Sequence, residues 1–116
     1  MTILIVEDHK AVRRLLRRQV EEFASEIFES DNGADAIAVY ALHRPDVVLM
    51  DIQMPGIDGL TATRRLKERH ADARVIFVTD YDQNEFRTAA AEVGACGYVT
   101  KADLGQLKSL IERAVK

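Results

Sequence analysis

The amino-acid sequence predicts a doubly wound α/β fold built from five βα units. Two observations favour it. Short apolar runs of strand length recur along the chain, and segments with apolar residues at helical spacing lie between them. This alternation is typical of parallel strands joined by crossover helices. The predicted strands are residues 2–6, Glu26–Ser30, Val47–Met50, Arg74–Val78 and Gly97–Thr100.

The helices are predicted from their apolar faces and from the residues at their ends. Leu15 and Leu16 belong to the apolar face of the first helix, and Tyr40 and Ala41 to that of the second. Gly94 is well suited to end the fourth helix. The predicted helices are Lys10–Ala24, Ala34–His43, one that begins near Leu60, Asn84–Val93 and Leu104–Val115.

Length and composition indicate one ordinary domain over residues 1–116. A chain of 116 residues can bury roughly two-thirds of the surface that it exposes when unfolded. A net charge of −3, with 47% hydrophobic and 30% charged residues and no charged tail, does not indicate a nucleic acid or a membrane as partner.

The sequence also favours a cytoplasmic location. No apolar stretch approaches the roughly 20 residues of a membrane span, and the first strand starts at residue 2, which leaves no room for a signal peptide. The lone Cys96 cannot form an internal disulfide, as expected in a reducing compartment. We expect Cys96 to be a small buried filler rather than a nucleophile.

Polar residues follow four of the predicted strands. Glu7 and Asp8 follow the first strand, Asp51 the third, Thr79 the fourth and Lys101 the fifth. Because ligands of open α/β sheets bind at the carboxyl ends of the strands, we expect these residues to converge. A lysine and a hydroxyl can stabilise charge on the oxygens of a phosphoryl group. The set therefore predicts a phosphoryl site.

The three carboxylates imply a divalent cation. Glu7, Asp8 and Asp51 at adjacent strand ends would repel one another unless a cation lies among them. Oxygen ligands favour Mg²⁺ over zinc. Each residue alone has a plainer interpretation, because strands often end in solvated acids or lysines and a terminal threonine is often a turn residue. Only the combination of acids, hydroxyl and lysine at successive strand ends is specific for a phosphoryl site.

At these residues the chain resembles the receiver domain of two-component response regulators, over essentially its full length. The segments Glu7-Asp8-His9 and Tyr98–Asp103 are most similar to those of the NarL/FixJ-like subfamily, whose members carry a helix-turn-helix output domain. The resemblance implies a flavodoxin-like five-stranded parallel sheet with strand order 2-1-3-4-5. The matching stretches are Ile5–His9, Val48–Gly59, Val78–Thr79 and Gly97–Lys101.

The resemblance implies a signalling switch that catalyses only its own phosphorylation and dephosphorylation, and so is not an enzyme in the usual sense. Asp51 would accept a phosphoryl group from a sensor histidine kinase or a phosphotransfer protein, with Lys101 as the partner of that group. Phosphorylation of Asp51 would then change the arrangement of the face formed by the fourth helix, fifth strand and fifth helix. The other implied roles are those of the Mg²⁺ ligands Glu7, Asp8, Asp51 and Gln53 (through its backbone carbonyl) and of the switch pair Thr79 and Tyr98.

The resemblance also defines the expected partners. It allows a homodimer, and a DNA-binding output domain that is absent from this chain. Direct contact between this domain and nucleic acid is not expected.

Two residues depart from the family's usual pattern. Asp80 stands where a small residue normally follows the switch hydroxyl, and its charge would oppose a phosphodonor unless it points to solvent, with Tyr81 shielding the pocket. Ala102 stands where most members have proline. A cis bond after Lys101 would therefore cost about 3 kcal/mol, so we expect either a trans bond or a cis bond enforced by tertiary contacts.

The first helix carries a cluster of basic residues. Glu21 and Glu22 can pair with Arg17 and Arg18, which favours a solvated face. A docking surface for an acidic partner is the second interpretation. The cluster consists of Lys10, Arg13, Arg14, Arg17 and Arg18.

Three other classes of protein match the sequence less well. The first is a receiver-like interaction module that never accepts phosphate, an interpretation that Asp80 leaves open. A flavin-binding protein would need a hydroxyl- and glycine-rich phosphate loop where this chain has Glu7-Asp8. A Mg²⁺-dependent phosphohydrolase would need a substrate pocket or cap that 116 residues hardly provide.

Overall fold

A computed structural model describes all of residues 1–116 and contains five strands and five α-helices in strict alternation. A 3₁₀ helix, Lys101–Gln106, precedes the last α-helix. The elements are β1 (Thr2–Val6), α1 (Lys10–Val20), β2 (Glu26–Ser30), α2 (Gly33–His43), β3 (Val47–Met50), α3 (Gly59–Arg69), β4 (Val75–Thr79), α4 (Asn84–Glu92), β5 (Gly97–Thr100) and α5 (Leu107–Ala114).

The five strands form one parallel sheet with the order β2-β1-β3-β4-β5, so the predicted flavodoxin-like α/β fold is confirmed. Val6 lies opposite Met50, and Met50 lies opposite Phe77. The residues that follow these strands therefore meet at one edge of the sheet. Since strand order reverses between β1 and β3, that edge is also where an α/β sheet opens a crevice for a ligand.

Both faces of the sheet are covered, which explains why the central strands β1, β3 and β4 are apolar at nearly every position rather than at alternate ones. Leu4, Val48 and Phe77 point into one core cluster, together with residues of α2, α3 and α4. Ile3 and Leu49 point to the other side, where α1 and α5 pack. No helix is long and apolar enough to cross a membrane.

Two helix ends and the position of one strand differ from the predicted ones. Helix α1 ends at Val20 rather than Ala24, because the backbone N–H groups of Phe23 and Ala24 both donate to the Val20 carbonyl and the chain turns there. Helix α4 ends one residue early, at Glu92, and Gly94 follows with a φ of +88°, as its predicted stopping role requires. Strand β4 is displaced by one residue, to Val75–Thr79.

The predicted start of the last helix at Leu104 was also wrong. The backbone of Asp103 has φ −133° and ψ 46°, which are not helical, and the regular helix begins only at Leu107. Apolar spacing could not reveal this, because Leu104 still packs against the core from the 3₁₀ segment.

Three residues predicted to face inward are exposed. Leu15 is 44% exposed because Leu16 and Val20, four residues apart, form the buried edge of α1. Ala41 is exposed for the same reason, since its neighbour Tyr40 turns to the core. Cys96 is exposed and not a buried filler, although its Sγ donates to the Val75 carbonyl at 3.4 Å.

Candidate functional site

A cavity of about 270 Å³ lies at the carboxyl edge of the sheet, between the ends of β1, β3, β4 and β5. Seven of its eight lining residues are polar or charged, unlike the mostly apolar pockets that bind drug-like molecules. They are Asp8, His9, Asp51, Gln53, Thr79, Asp80, Tyr81 and Lys101. The cavity therefore suits a small charged group.

The structure brings the three predicted carboxylates together. One oxygen each from Glu7, Asp8 and Asp51 lies within 4.8 Å of the others. Glu7 is fully buried and Asp51 is 6% exposed, while Asp8 is partly exposed. Three oxygen donors at this spacing fit a hard divalent cation, and burial of their charges without a counterion is unfavourable.

Lys101 is the cation already present among these carboxylates. Its Nζ lies 2.7 Å from Glu7 Oε1 and 3.1 Å from Asp51 Oδ2. The contact with Asp51 is an aligned hydrogen bond, whereas the contact with Glu7 is an ion pair without hydrogen-bond alignment. Lys101 is the first residue of the 3₁₀ helix that follows β5.

Burial dominates the electrostatics of the two inner acids. It raises the pKa of Glu7 despite the neighbouring Lys101, and the charge of Asp51 adds to the increase. Burial likewise raises the pKa of Asp51, where Lys101 opposes the shift and the charge of Asp8 adds to it. For Lys101, burial alone would lower the pKa, but Glu7 and Asp51 outweigh it, so the pKa is raised and the ammonium stays charged.

Backbone groups fix the orientation of these acids. The Ile52 N–H donates to Asp51 Oδ1 at 2.8 Å, and the His9 N–H donates to Glu7 Oε2 at 3.0 Å. Asp51 therefore has one oxygen held by its own loop and one paired with Lys101. A carboxylate held in this way is oriented before any ligand arrives.

Of the two predicted switch residues, Thr79 lines the cavity and Tyr98 does not. Thr79 is fully buried, and its Oγ1 accepts a hydrogen bond from the Tyr81 N–H at 3.3 Å. Tyr98 is half-buried, and its hydroxyl donates to the Tyr81 carbonyl at 2.6 Å. Gln53 also lines the cavity, and its Oε1 accepts from the Tyr81 hydroxyl. Tyr81 therefore contacts all three of these predicted site residues.

The structure shows where Asp80 lies and which isomer the peptide bond before Ala102 adopts, the two points at which the chain departs from the family pattern. Asp80 lines the cavity, but its side chain is 79% exposed, and its Oδ2 is 4.0 Å from Lys101 Nζ. It thus both faces the pocket and approaches a cation. The peptide bond between Lys101 and Ala102 is trans, since the chain has no cis peptide bond.

Sequence reasoning missed the part played by Arg13. This residue of α1 donates from Nη1 to the Glu7 carbonyl at 2.9 Å and from Nε to Glu29 Oε1 at 3.0 Å. Arg17 also pairs with Glu29, at 2.8 Å. The predicted pairing of Glu21 and Glu22 with Arg17 and Arg18 was therefore wrong for Arg17, because β2 supplies its acidic partner. No motif could indicate this, since the contact joins elements 12 to 16 residues apart.

Comparisons with known proteins agree with this geometry. The family model of the response regulator receiver domain matches residues 3–112. Chemotaxis protein CheY of Halobacterium salinarum is 41% identical over 99 residues, which cover 85% of this chain and 82% of that protein. Response regulator GacA of Pseudomonas viridiflava is 39% identical over 85% of this chain, which spans only 47% of GacA.

A solved structure extends the likeness to the whole chain. The crystal structure of a DNA-binding response regulator of the LuxR family from Staphylococcus aureus has a TM-score of 0.90 and 26% identity, covering 99% of this chain and 98% of that one. The predicted resemblance is thereby confirmed, including its likeness to regulators that bind DNA. The chain belongs to the response regulator receiver domain family and is not a conventional enzyme.

Proposed function

We propose that this receiver domain, over residues 1–116, is a phosphorylatable switch whose acceptor is Asp51. The observation that carries the proposal is the position of the Asp51 carboxylate, which lines the cavity and pairs with Lys101 at 3.1 Å. A carboxylate attacking phosphorus needs a cation beside the transferred oxygens, and Lys101 lies within reach as a point charge. The donor would be a phosphohistidine of a sensor kinase or of a phosphotransfer protein.

The donor set fits Mg²⁺, which Glu7, Asp8, Asp51 and the backbone carbonyl of Gln53 would hold. When bound, the ion would neutralise the acid cluster and offset charge on the phosphoryl oxygens. The rest of the chemistry belongs to the protein's own residues. Lys101 orients Asp51, and the Thr79 hydroxyl donates to a phosphoryl oxygen after leaving its contact with the Tyr81 N–H.

The phosphoryl group would change the surface through Thr79 and Tyr98. An acyl phosphate adds about −1 to −2 of charge where only one lysine now lies. Movement of Thr79 towards it removes the hydrogen bond from Tyr81, whose carbonyl holds Tyr98. The face of α4, β5 and α5 would transmit this change to a second copy or to a DNA-binding output domain of a longer regulator.

A second candidate function is a protein-interaction module that accepts no phosphate. The position of Asp80 favours it, because a third carboxylate 4.0 Å from Lys101 competes with an incoming anion for that cation. A phosphorylation experiment distinguishes the two candidate functions.

The experiment is incubation with acetyl phosphate and Mg²⁺, followed by intact-mass and peptide analysis. We expect one phosphoryl group on Asp51 in the wild type and none in Asp51→Asn. Asp58→Asn is the matched control, because Asp58 belongs to the same loop but caps α3 through the Thr61 N–H. No phosphoryl group in the wild type, or one on a residue other than Asp51, would overturn the proposal in favour of the interaction module or another acceptor.

A further inference from the structure

Arg13 holds the peptide unit that joins two of the clustered acids. Its Nη1 donates to the carbonyl of Glu7 at 2.9 Å. No backbone N–H donates to that carbonyl, and the N–H of Asp8, at the other end of the same peptide unit, makes no hydrogen bond. Strand pairing does not fix this unit, because the ladder between β1 and β3 ends at Val6 and Met50. The orientation of the Glu7–Asp8 peptide therefore depends on an arginine of α1.

Asp8 is the acid whose position depends most on this peptide unit. Glu7 and Asp51 each pair with Lys101, and each accepts a hydrogen bond from a backbone N–H. The Asp8 carboxylate accepts no hydrogen bond and forms no ion pair, although one of its oxygens lies within 4.8 Å of an oxygen of each of the other two. Because a side chain moves with its backbone, rotation of the Glu7–Asp8 peptide would displace this carboxylate relative to the other two. Groups that orient the ligands of a metal ion control its affinity.

Arg13 is itself held by Glu29. Its Nε lies 3.0 Å from Glu29 Oε1, while the other oxygen, Oε2, lies 2.8 Å from Arg17 Nη1. Two nitrogens of one guanidinium thus join α1 to the ends of β1 and β2, which a single ammonium could not do in the same geometry. Arg17 has the same charge and the same acidic partner as Arg13, but it does not contact Glu7.

We propose that Arg13 is a positioning residue that raises the affinity of the acid cluster for Mg²⁺ by orienting the Glu7–Asp8 peptide. The proposal deepens the proposed function and rests on it, since phosphoryl transfer to Asp51 would use the same cation. Charge alone predicts the opposite sign, because an arginine beside a cation site repels the cation and its removal should tighten Mg²⁺ binding. The contact with the Glu7 carbonyl predicts that removal of Arg13 weakens it.

The test is the Kd for Mg²⁺, measured by isothermal titration calorimetry at fixed ionic strength. We expect Arg13→Gln to weaken binding about three- to tenfold, as loss of one hydrogen bond that orients a ligand predicts. Arg17→Gln is the matched control. It removes the same charge and a partner of Glu29, and its Kd should equal that of the wild type or be slightly lower. A Kd for Arg13→Gln equal to or below that of Arg17→Gln would overturn the proposal.

Arg13→Lys separates charge from geometry. It keeps the charge but cannot contact the Glu7 carbonyl and Glu29 together, so its Kd should lie between those of the wild type and Arg13→Gln. This variant also carries the test if Arg13→Gln does not fold. Binding by Arg13→Lys that is tighter than in the wild type would overturn the proposal.

A double-mutant cycle tests whether the effect passes through Asp8. If Arg13 acts by orienting the Asp8 carboxylate, Arg13→Gln should weaken Mg²⁺ binding less in an Asp8→Asn background than in the wild type. The weaker site of Asp8→Asn is titrated at higher Mg²⁺ concentrations. An equal effect of Arg13→Gln in both backgrounds would overturn the proposal.

The Mg²⁺ dependence of phosphorylation by acetyl phosphate separates positioning from a general loss of structure. Arg13→Gln should raise the half-saturating Mg²⁺ concentration by the same factor as the Kd, and its rate at saturating Mg²⁺ should stay near that of the wild type. A lower rate at saturation with an unchanged half-saturating concentration would overturn the proposal, because Arg13 would then act on something other than the cation.

The Kd measurement requires no phosphoryl transfer, so the two proposals can fail separately. If the wild type binds Mg²⁺ but takes up no phosphoryl group, the proposed function fails, and the Kd values of the variants still decide the role of Arg13. If the wild type takes up the phosphoryl group and the Kd of Arg13→Gln matches that of Arg17→Gln, only the role of Arg13 fails. Absence of Mg²⁺ binding by the wild type would overturn the role of Arg13 outright.

Discussion

Gly59, the first residue of α3, packs directly on the backbone of Asp51. A Cβ atom placed on Gly59 would overlap the Asp51 carbonyl oxygen and lie 2.8 Å from its carbonyl carbon. The Gly59 N–H donates to the Ile52 carbonyl at 2.6 Å, which closes the loop between β3 and α3. The backbone position of the proposed phosphoacceptor therefore depends on a residue eight positions later that lacks a side chain.

The first prediction concerns Gly59→Ala. The added methyl group must displace backbone rather than a flexible side chain, so we expect a loss of about 1–3 kcal/mol in the free energy of unfolding. Phosphorylation by acetyl phosphate should also slow, because Asp51 shifts relative to Lys101. Gly105→Ala is the control, since no atom lies within 4 Å of a Cβ there. Equal unfolding curves for both variants would show that the loop absorbs the methyl group freely.

The second prediction concerns the acid cluster and Mg²⁺. Binding to the folded state alone stabilises a protein by about 2.7 kcal/mol at 100 times the Kd. We therefore expect saturating Mg²⁺ to raise the melting temperature by several degrees, as measured by calorimetry. Asp8→Asn should lose most of this gain. Asp72→Asn, which changes an exposed carboxylate far from the cavity, should keep it. The same rise in Asp8→Asn and the wild type would argue against a metal site here.

The third prediction concerns pH in a buffer that contains EDTA. The pKa values of Asp51 and Glu7 are raised by burial above their ordinary values of 3.8 and 4.5. In the window above those values the folded state binds more protons than the unfolded state, so both acids lower stability as pH rises. The Asp51→Asn variant has no carboxyl group at this position, so it does not lose stability in this way as pH rises. We expect the stability of Asp51→Asn relative to wild type to increase from about pH 4 to pH 7, by at most about 1.4 kcal/mol per pH unit.

Chemical denaturation at each pH measures this difference. Asp72→Asn supplies the baseline for loss of an exposed carboxylate. A constant difference between Asp51→Asn and wild type over the whole window would mean that Asp51 titrates with the same pKa folded and unfolded.

The strands and the convergence of the residues that follow them were predictable from the sequence, because the central strands are apolar at nearly every position and polar residues follow four of the five strands. Helix ends were less predictable. Backbone dihedral angles decide where α5 starts, and the half-apolar segment around Leu104 fits either a 3₁₀ or an α-helix. Contacts between side chains distant in sequence, such as Arg13 with Glu29, leave no local signal. The same is true of Arg87 over Tyr98.

The last prediction concerns Asp80, which approaches Lys101 to 4.0 Å yet is 79% exposed. Its carboxylate opposes a phosphodonor directly and also competes for the ammonium that would receive the phosphoryl oxygens. Solvent exposure weakens both effects, and partial pairing with Lys101 reduces the direct repulsion. We therefore expect Asp80→Ala to accelerate phosphorylation by acetyl phosphate about three- to tenfold. The acceleration would be larger if the charge of Asp80 were neither screened by solvent nor paired with Lys101.

Salt separates this electrostatic effect from a steric one. Asp80→Asn keeps the size of the side chain and removes the charge, so it should accelerate the reaction about as much as Asp80→Ala, and both gains should narrow as ionic strength rises. If only the alanine variant is faster, and salt does not alter its advantage, the bulk of the side chain obstructs the cavity mouth and its charge has no kinetic effect. If both variants react at the wild-type rate at low ionic strength, Lys101 neutralises Asp80 completely, and the carboxylate has no influence on entry of the phosphodonor.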